Sequence, residues 1–153
     1  MFCHVWLPTV SAMNALQLIE HTTNAWNQRD RQAYLACYAD DCEIVAAGFL
    51  GHGHTGVNEF WTGFMEPFPD NTVTILQTIG HSDIAVEEGV LKGTHTGALP
   101  TPDGNIAATG RRVSSPFAGV HTIRDGKIIS SHFYSDQLEF LEQLGMNPTA
   151  VAD

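Results

Sequence analysis

Two periodicities divide the chain. Up to about residue 66 the apolar positions recur at helical spacing, whereas from Asn71 onward they alternate or run together as strands do. Ser11 is placed to cap a first helix running to about Arg29, on which Leu16, Ile19, Thr23 and Trp26 share a face. Asp30 caps a short second helix carrying Tyr34, Leu35 and Tyr38, and the run from Tyr38 to Val45 turns into a first strand. Residues 48–56 predict a glycine-rich loop, a mobile lip. Residues 57–65 predict a third helix with Phe60, Trp61 and Phe64 on its apolar side, ended by Pro67 and Pro69. Strands are expected over residues 72–79, 84–96, 107–124 and 127–135, with turn chemistry between Leu99 and Asn105. A last helix over residues 136–144 stops at Gly145, with Pro148 beyond it. Helices first and antiparallel strands afterwards predict an α+β fold, its helices stacked on one face of a curved sheet.

The last two strands form the most specific local pattern. Asp125-Gly126 between β-rich runs is a two-residue hairpin turn, because both central positions need φ > 0. A regular ladder from that turn sets Ile123 opposite Ile128, His121 opposite Ser130, Gly119 opposite His132, Phe117 opposite Tyr134 and Ser115 opposite Asp136. Side chains alternate, so His121, His132, Tyr134 and Asp136 are expected on one face with Phe117. That mixture of apolar walls and titratable groups suits a small-molecule site. The other face (Ala118, Val120, Thr122, Ile129, Ser131, Phe133) is too apolar to stand bare in water and predicts a homodimer.

The 153 residues suit one domain: an arm at residues 1–11, a globular unit at 12–146 and a tail at 147–153. A formal charge of −10 argues against nucleic acid or an anionic membrane as partner and favours a small hydrophobic or aromatic molecule. Cys3, Cys37 and Cys42 show no CxxC spacing, so buried or free thiols in a reducing cytoplasm are expected. His52-Gly53-His54 lacks a neighbouring carboxylate or cysteine pattern, and no metal site is expected there.

Tyr38-Ala39-Asp40-Asp41, Gly93-Thr94-His95-Thr96-Gly97, Thr109-Gly110-Arg111-Arg112, Asp125-Gly126-Lys127-Ile128 and Tyr134-Ser135-Asp136 before Gln143-Leu144-Gly145 stand in this order. Together they resemble the SnoaL-like polyketide cyclases of the nuclear transport factor 2-like superfamily, over roughly residues 12–146. The resemblance implies a cone-shaped α+β barrel with a deep cavity between sheet and helices, commonly dimeric and working without metal or organic cofactor. It implies that Asp136 is the acid/base of an aldol ring closure, with His121 assisting on the preceding strand. The competing reading of Asp136 is the N-cap of the last helix. His132, Tyr134, His95, Phe117, Trp26, Tyr38, Trp61 and Arg112 are the expected lining, although Arg111 and Arg112 compete for the inward position.

Two relatives of different chemistry fit poorly. The superfamily's steroid isomerases place an aspartate eight residues after the tyrosine of the shared string and an oxyanion tyrosine sixteen before it. Here those positions are Ala46 and Thr22. The epoxide hydrolases use Arg-x-Asp, and Arg112 is followed two residues on by Ser114. Three classes remain: a cofactor-free lyase or isomerase, a hydrolase of epoxide or ester type using water activated by Asp136, and a non-catalytic binding or dimeric module.

Overall fold

A computed structural model describes residues 13–146, so the expected arm, the tail and the Ser11 cap lie outside the described residues. Helix α1 (Ala15–Asn27) begins at Asn14, whose side chain accepts from Gln17 N while the Gln17 side chain accepts from Asn14 N, a capping box. Its buried stripe is Leu18, Ile19, Thr22, Ala25 and Trp26. Leu16 lies outside that stripe and is 38% exposed. Asp30 caps α2 (Arg31–Ala36) through Ala33 N, as its position predicts. Tyr38, expected on that helix, instead opens β1 (Tyr38–Ala46).

The predicted glycine-rich lip is regular structure. It forms β2 (Phe49–His52) followed directly by α3 (Gly53–Met65). The glycines serve close packing rather than mobility, since a Cβ on Gly51 would stand 2.8 Å from Gly56 Cα, and one on Gly56 would stand 2.5 Å from Gly51 Cα. The remaining elements are β3 (Thr72–His81), β4 (Ile84–Thr94), a small hairpin of β5 (Leu99–Thr101) and β6 (Gly104–Ile106), β7 (Arg112–Arg124), β8 (Lys127–Ser135) and α4 (Gln137–Gln143). Six strands form one curved sheet in the order β2-β1-β8-β7-β4-β3, antiparallel except for β1 beside β8. This is the α+β cone of the nuclear transport factor 2-like fold, with helices covering one face of the sheet.

The Asp-Gly turn forms as read, with φ of 52° at Asp125 and 72° at Gly126, and it pairs Arg124 with Lys127 and Ile123 with Ile128. Beyond that point the expected register fails. Thr122 pairs with Ser130, His121 with Ser131, Gly119 with Phe133 and Phe117 with Ser135, because Ile129 is an extra residue in the ladder. Such a bulge reverses the inward and outward sides of everything after it. Ser131 and Phe133 therefore turn inward. His132 and Tyr134 turn out.

The core lies between the helices and the inner face of the sheet. Trp26 is its hub, with ring centroids 5.3 Å from Tyr34, 5.1 Å from Trp61, 6.1 Å from Phe60 and 5.9 Å from Phe64. Its indole N–H is satisfied by Asn71 Oδ1 at 2.7 Å. Phe60 stacks on Phe133 at 5.3 Å and 11°, which ties α3 to the inner side of β8. Cys37 and Cys42 are buried free thiols, and burial raises the pKa of both.

Candidate active site

Beneath those rings the inner face of the sheet carries a connected polar group. Glu87 Oε1 lies 3.1 Å from His121 Nε2, and His121 Nδ1 lies 2.8 Å from Ser131 Oγ. Ser131 Oγ and the Tyr38 hydroxyl are 3.4 Å apart, and the Tyr38 and Tyr34 hydroxyls 3.3 Å. All five residues are buried, with Glu87 5% and His121 2% exposed. Burial raises the pKa of both tyrosines well above the ordinary value, so both remain phenols with a proton to donate. Glu87 Oε2 is buried without a partner. A buried carboxylate oxygen left bare is costly, and such sites are where ligand-facing groups are found.

The sheet brings these residues together through simple alternation. Ala85, Glu87, Gly89 and Leu91 are the buried positions of β4, and Glu87 pairs with Gly119 of β7, two residues before His121. Gly119 leaves the space in which the acid and imidazole meet. A Cβ there would stand 2.7 Å from His121 Nε2 and 3.0 Å from Glu87 Oε1. Gly89 does the same for Phe117, whose Cζ would lie 2.8 Å from a Cβ at that position. Phe117 and Phe133, 6.1 Å apart, are half-buried beside the polar group, and Phe133 meets the His121 ring edge-on at 5.5 Å. Trp26, Trp61 and Tyr38 are packed in the core, and Phe117 is half-buried against Phe133. Two surface hollows lie elsewhere, along Gln17, Glu20 and His21 of α1 and between Arg31, Leu35 and His54.

Other expected residues lie apart from this group. His132 faces outward, its ring 3.4 Å from Glu43 Oε1, and Tyr134 is 60% exposed, both because of the bulge at Ile129. Arg112 and Arg111 are both exposed, Arg112 on the outward side of β7 opposite Thr94. His95 is buried at the far end of the β4–β7 ladder, 5.2 Å from Phe68, with Nδ1 3.0 Å from Thr109 Oγ1. Desolvation lowers its pKa, and its Nε2 is buried without a partner. Asp136 is exposed, and its carboxylate accepts from Glu139 N as the cap of α4. Ser135 pairs with Phe117, so Asp136 stands roughly 15 Å or more along the ladder from His121. His52 and His54 do not converge: His54 Nε2 meets Tyr38 O at 3.0 Å, and no group of three or more metal-capable side chains occurs among the described residues.

Glu87 and Ser131 are the members that sequence reasoning missed. A signal for Glu87 exists. Glu87-Glu88 is a pair of adjacent acids inside an otherwise apolar strand, and alternation forces one of them inward. Ser131 had no such signal, because its side depends on the bulge.

The chain belongs to the SnoaL-like domain family, whose model matches residues 19–131. Among solved structures it is similar to a candidate SnoaL-like polyketide cyclase from Jannaschia sp. CCS1, at 18% identity and a TM-score of 0.76, over 87% of this chain and 92% of that one. It is also similar to IdmH from Streptomyces antibioticus, a candidate polyketide cyclase, at 25% identity and a TM-score of 0.69, over 84% and 96%. A third is a protein of ketosteroid isomerase-like fold from Catenulispora acidiphila in complex with trimethylamine, at 19% and 0.72, over 92% and 100%. No curated protein matches the chain.

Proposed function

We propose that this protein is a cofactor-free acid/base enzyme of the cyclase or isomerase type, acting on a small hydrophobic or aromatic carbonyl compound. Glu87 is the base and His121 its partner. The carrying observation is the bare Oε2 of Glu87, a buried acceptor beside half-buried Phe117 and Phe133. The other heavy atoms of the group are already bonded: both nitrogens of His121 and the hydroxyls of Ser131, Tyr38 and Tyr34. A carbon acid entering past the phenylalanines therefore meets one free acceptor and no free donor of this group. That favours substrates whose enolate is delocalised within the molecule, as in a β-dicarbonyl or an aromatic ketone. The cyclase names among the structural neighbours agree with this chemistry.

The test uses deuterium exchange at the carbon next to the carbonyl of 2-tetralone, followed by proton NMR in heavy water. The protein should accelerate exchange, and Glu87→Gln should lose about 10²-fold or more of that acceleration while remaining folded. Undiminished exchange by a folded Glu87→Gln variant would remove Glu87 as the base.

The reading includes a homodimer through the outer face of the sheet. That face, corrected for the bulge, exposes Leu50, Ile84, Val120 and Tyr134, whereas Ser131 and Phe133 leave it for the interior. A monomeric mass by light scattering at micromolar concentration would overturn the dimer.

A further inference from the structure

The protons of the buried group can be counted outward from Ser131. A serine hydroxyl carries one proton, and that of Ser131 is donated to the Tyr38 hydroxyl, 3.4 Å away. The 2.8 Å contact between Ser131 Oγ and His121 Nδ1 therefore runs the other way, with Nδ1–H donating and the serine oxygen accepting. The Tyr34–Tyr38 contact can run in either sense and has no bearing on the imidazole. A neutral ring whose single proton is on Nδ1 has only a lone pair at Nε2, yet Nε2 stands 3.1 Å from Glu87 Oε1. Two bare acceptors at that distance repel, so a further proton has to lie between them. It sits on Nε2, as an imidazolium facing a carboxylate, or on Oε1, as a carboxylic acid facing a neutral ring. Either form leaves the pair without net charge. Glu87 is 5% exposed, and His121 is the one basic side chain in ion-pair reach of it among the described residues, so the shared proton also spares the fold an uncompensated buried charge.

We infer that Glu87 and His121 hold one proton between Oε1 and Nε2, and that Ser131 is the positioning residue that keeps it there by accepting from Nδ1. This rests on the proposed role of Glu87 and gives that base its charge state. In the reaction the carbon–hydrogen bond breaks, its proton goes to Oε2 and its electron pair stays with the substrate as the enolate. The shared proton settles on Nε2, so the pair becomes a carboxylic acid beside an imidazolium, and no hydrogen bond from Glu87 to Tyr38 is broken. An uncharged pair thus turns cationic as the substrate turns anionic, and the two charges attract where water is excluded. Oε2 then returns its proton to the developing product, and the pair is uncharged again. Ser131 touches no reacting atom; it acts through the imidazole nitrogen that it obliges to carry a proton.

NMR of the full chain, labelled with nitrogen-15 at histidine and carbon-13 at glutamate, tests this without any substrate. The signals of the pair are identified by their loss in His121→Gln and Glu87→Gln. At neutral pH Nδ1 should be protonated, and the proton absent from one partner should be found on the other: a protonated Nε2 with an ionised Glu87 carboxyl, or a pyridine-like Nε2 with a protonated one. Ser131→Ala, which removes the acceptor of Nδ1–H, should move Nδ1 toward a pyridine-like shift, and Ser131→Thr, which restores a hydroxyl, should return it. An unprotonated Nδ1 in the wild-type protein would overturn the inference, as would a neutral ring beside an ionised Glu87 carboxyl, or a wild-type pattern in Ser131→Ala. Those results leave the exchange test of Glu87→Gln standing, whereas failure of exchange with the shared proton in place would remove the enzyme reading instead.

Discussion

His121 is 2% exposed and bonded through both ring nitrogens, whereas His132, on the neighbouring strand of the same hairpin, has a side chain 40% exposed and faces Glu43 across 3.4 Å. The two residues have the same chemistry and adjacent strands. What separates them is Ile129, the extra residue that turns Ser131 and Phe133 inward and His132 and Tyr134 outward. Which histidine is buried beside an acid is therefore decided by a backbone irregularity and not by residue type. The inward one meets an acid and a hydroxyl, buried beside Phe133. The outward one meets a solvated glutamate.

The sharpest way to break that contrast is to truncate the aromatic side chain on each side of β8. Phe133 stacks on Phe60 and touches Phe117 and His121. Phe133→Ala should cost about 3 kcal/mol of unfolding free energy, as large core truncations do. Tyr134→Ala, one residue on and outward, should cost about 0.5 kcal/mol or less in the isolated chain. Urea unfolding of the two variants reads the register directly. Equal losses, or a larger loss at Tyr134, would mean that the bulge-free ladder is the true one.

The same stretch explains how far the sequence can be read. The turn was legible because Asp125-Gly126 demands positive φ at both positions, and the helix-then-strand order with its local strings pointed to the fold. The side on which Ser131 falls was not legible. Ile128-Ile129-Ser130-Ser131 offers two apolar and then two small polar residues, and that pattern satisfies either phase of a strand. Tertiary partners choose between the phases: Phe60 for Phe133, and His121 for Ser131. Asp136 shows a different limit. Its place after the last strand satisfied both a catalytic and a capping reading, and its carboxylate caps α4 through Glu139 N. Glu87 was visible in principle, as one of two adjacent acids in an apolar strand, but its partner lies across β7 and only the β4–β7 register joins them.

A smaller effect on stability, with a larger one on chemistry, is expected at Gly119. An added methyl would stand 2.7 Å from His121 Nε2 and 3.0 Å from Glu87 Oε1, closer than van der Waals contact allows. Gly119→Ala must push the acid and imidazole apart or move the strand, at about 1–3 kcal/mol for overpacking. Its exchange activity toward 2-tetralone should fall by about 10²-fold, because a displacement of about 1 Å is enough to lose that much. The variant thus damages the inward histidine without altering any polar atom. Full activity in Gly119→Ala would show that contact between Glu87 and His121 is dispensable.

The outward histidine should be nearly silent. His132 and Glu43 are both about two-fifths exposed, so water screens their attraction and competes for both groups. Pairs of that kind contribute between nothing and about 1 kcal/mol. His132→Ala should change unfolding free energy by about 0.5 kcal/mol or less and leave exchange within about twofold of wild type, because no bond connects the ring to the Glu87 group across the sheet. A loss of activity approaching that of Glu87→Gln would place His132 in the reaction. The two histidines would then have to exchange roles, and the inward group would be a buried structural network.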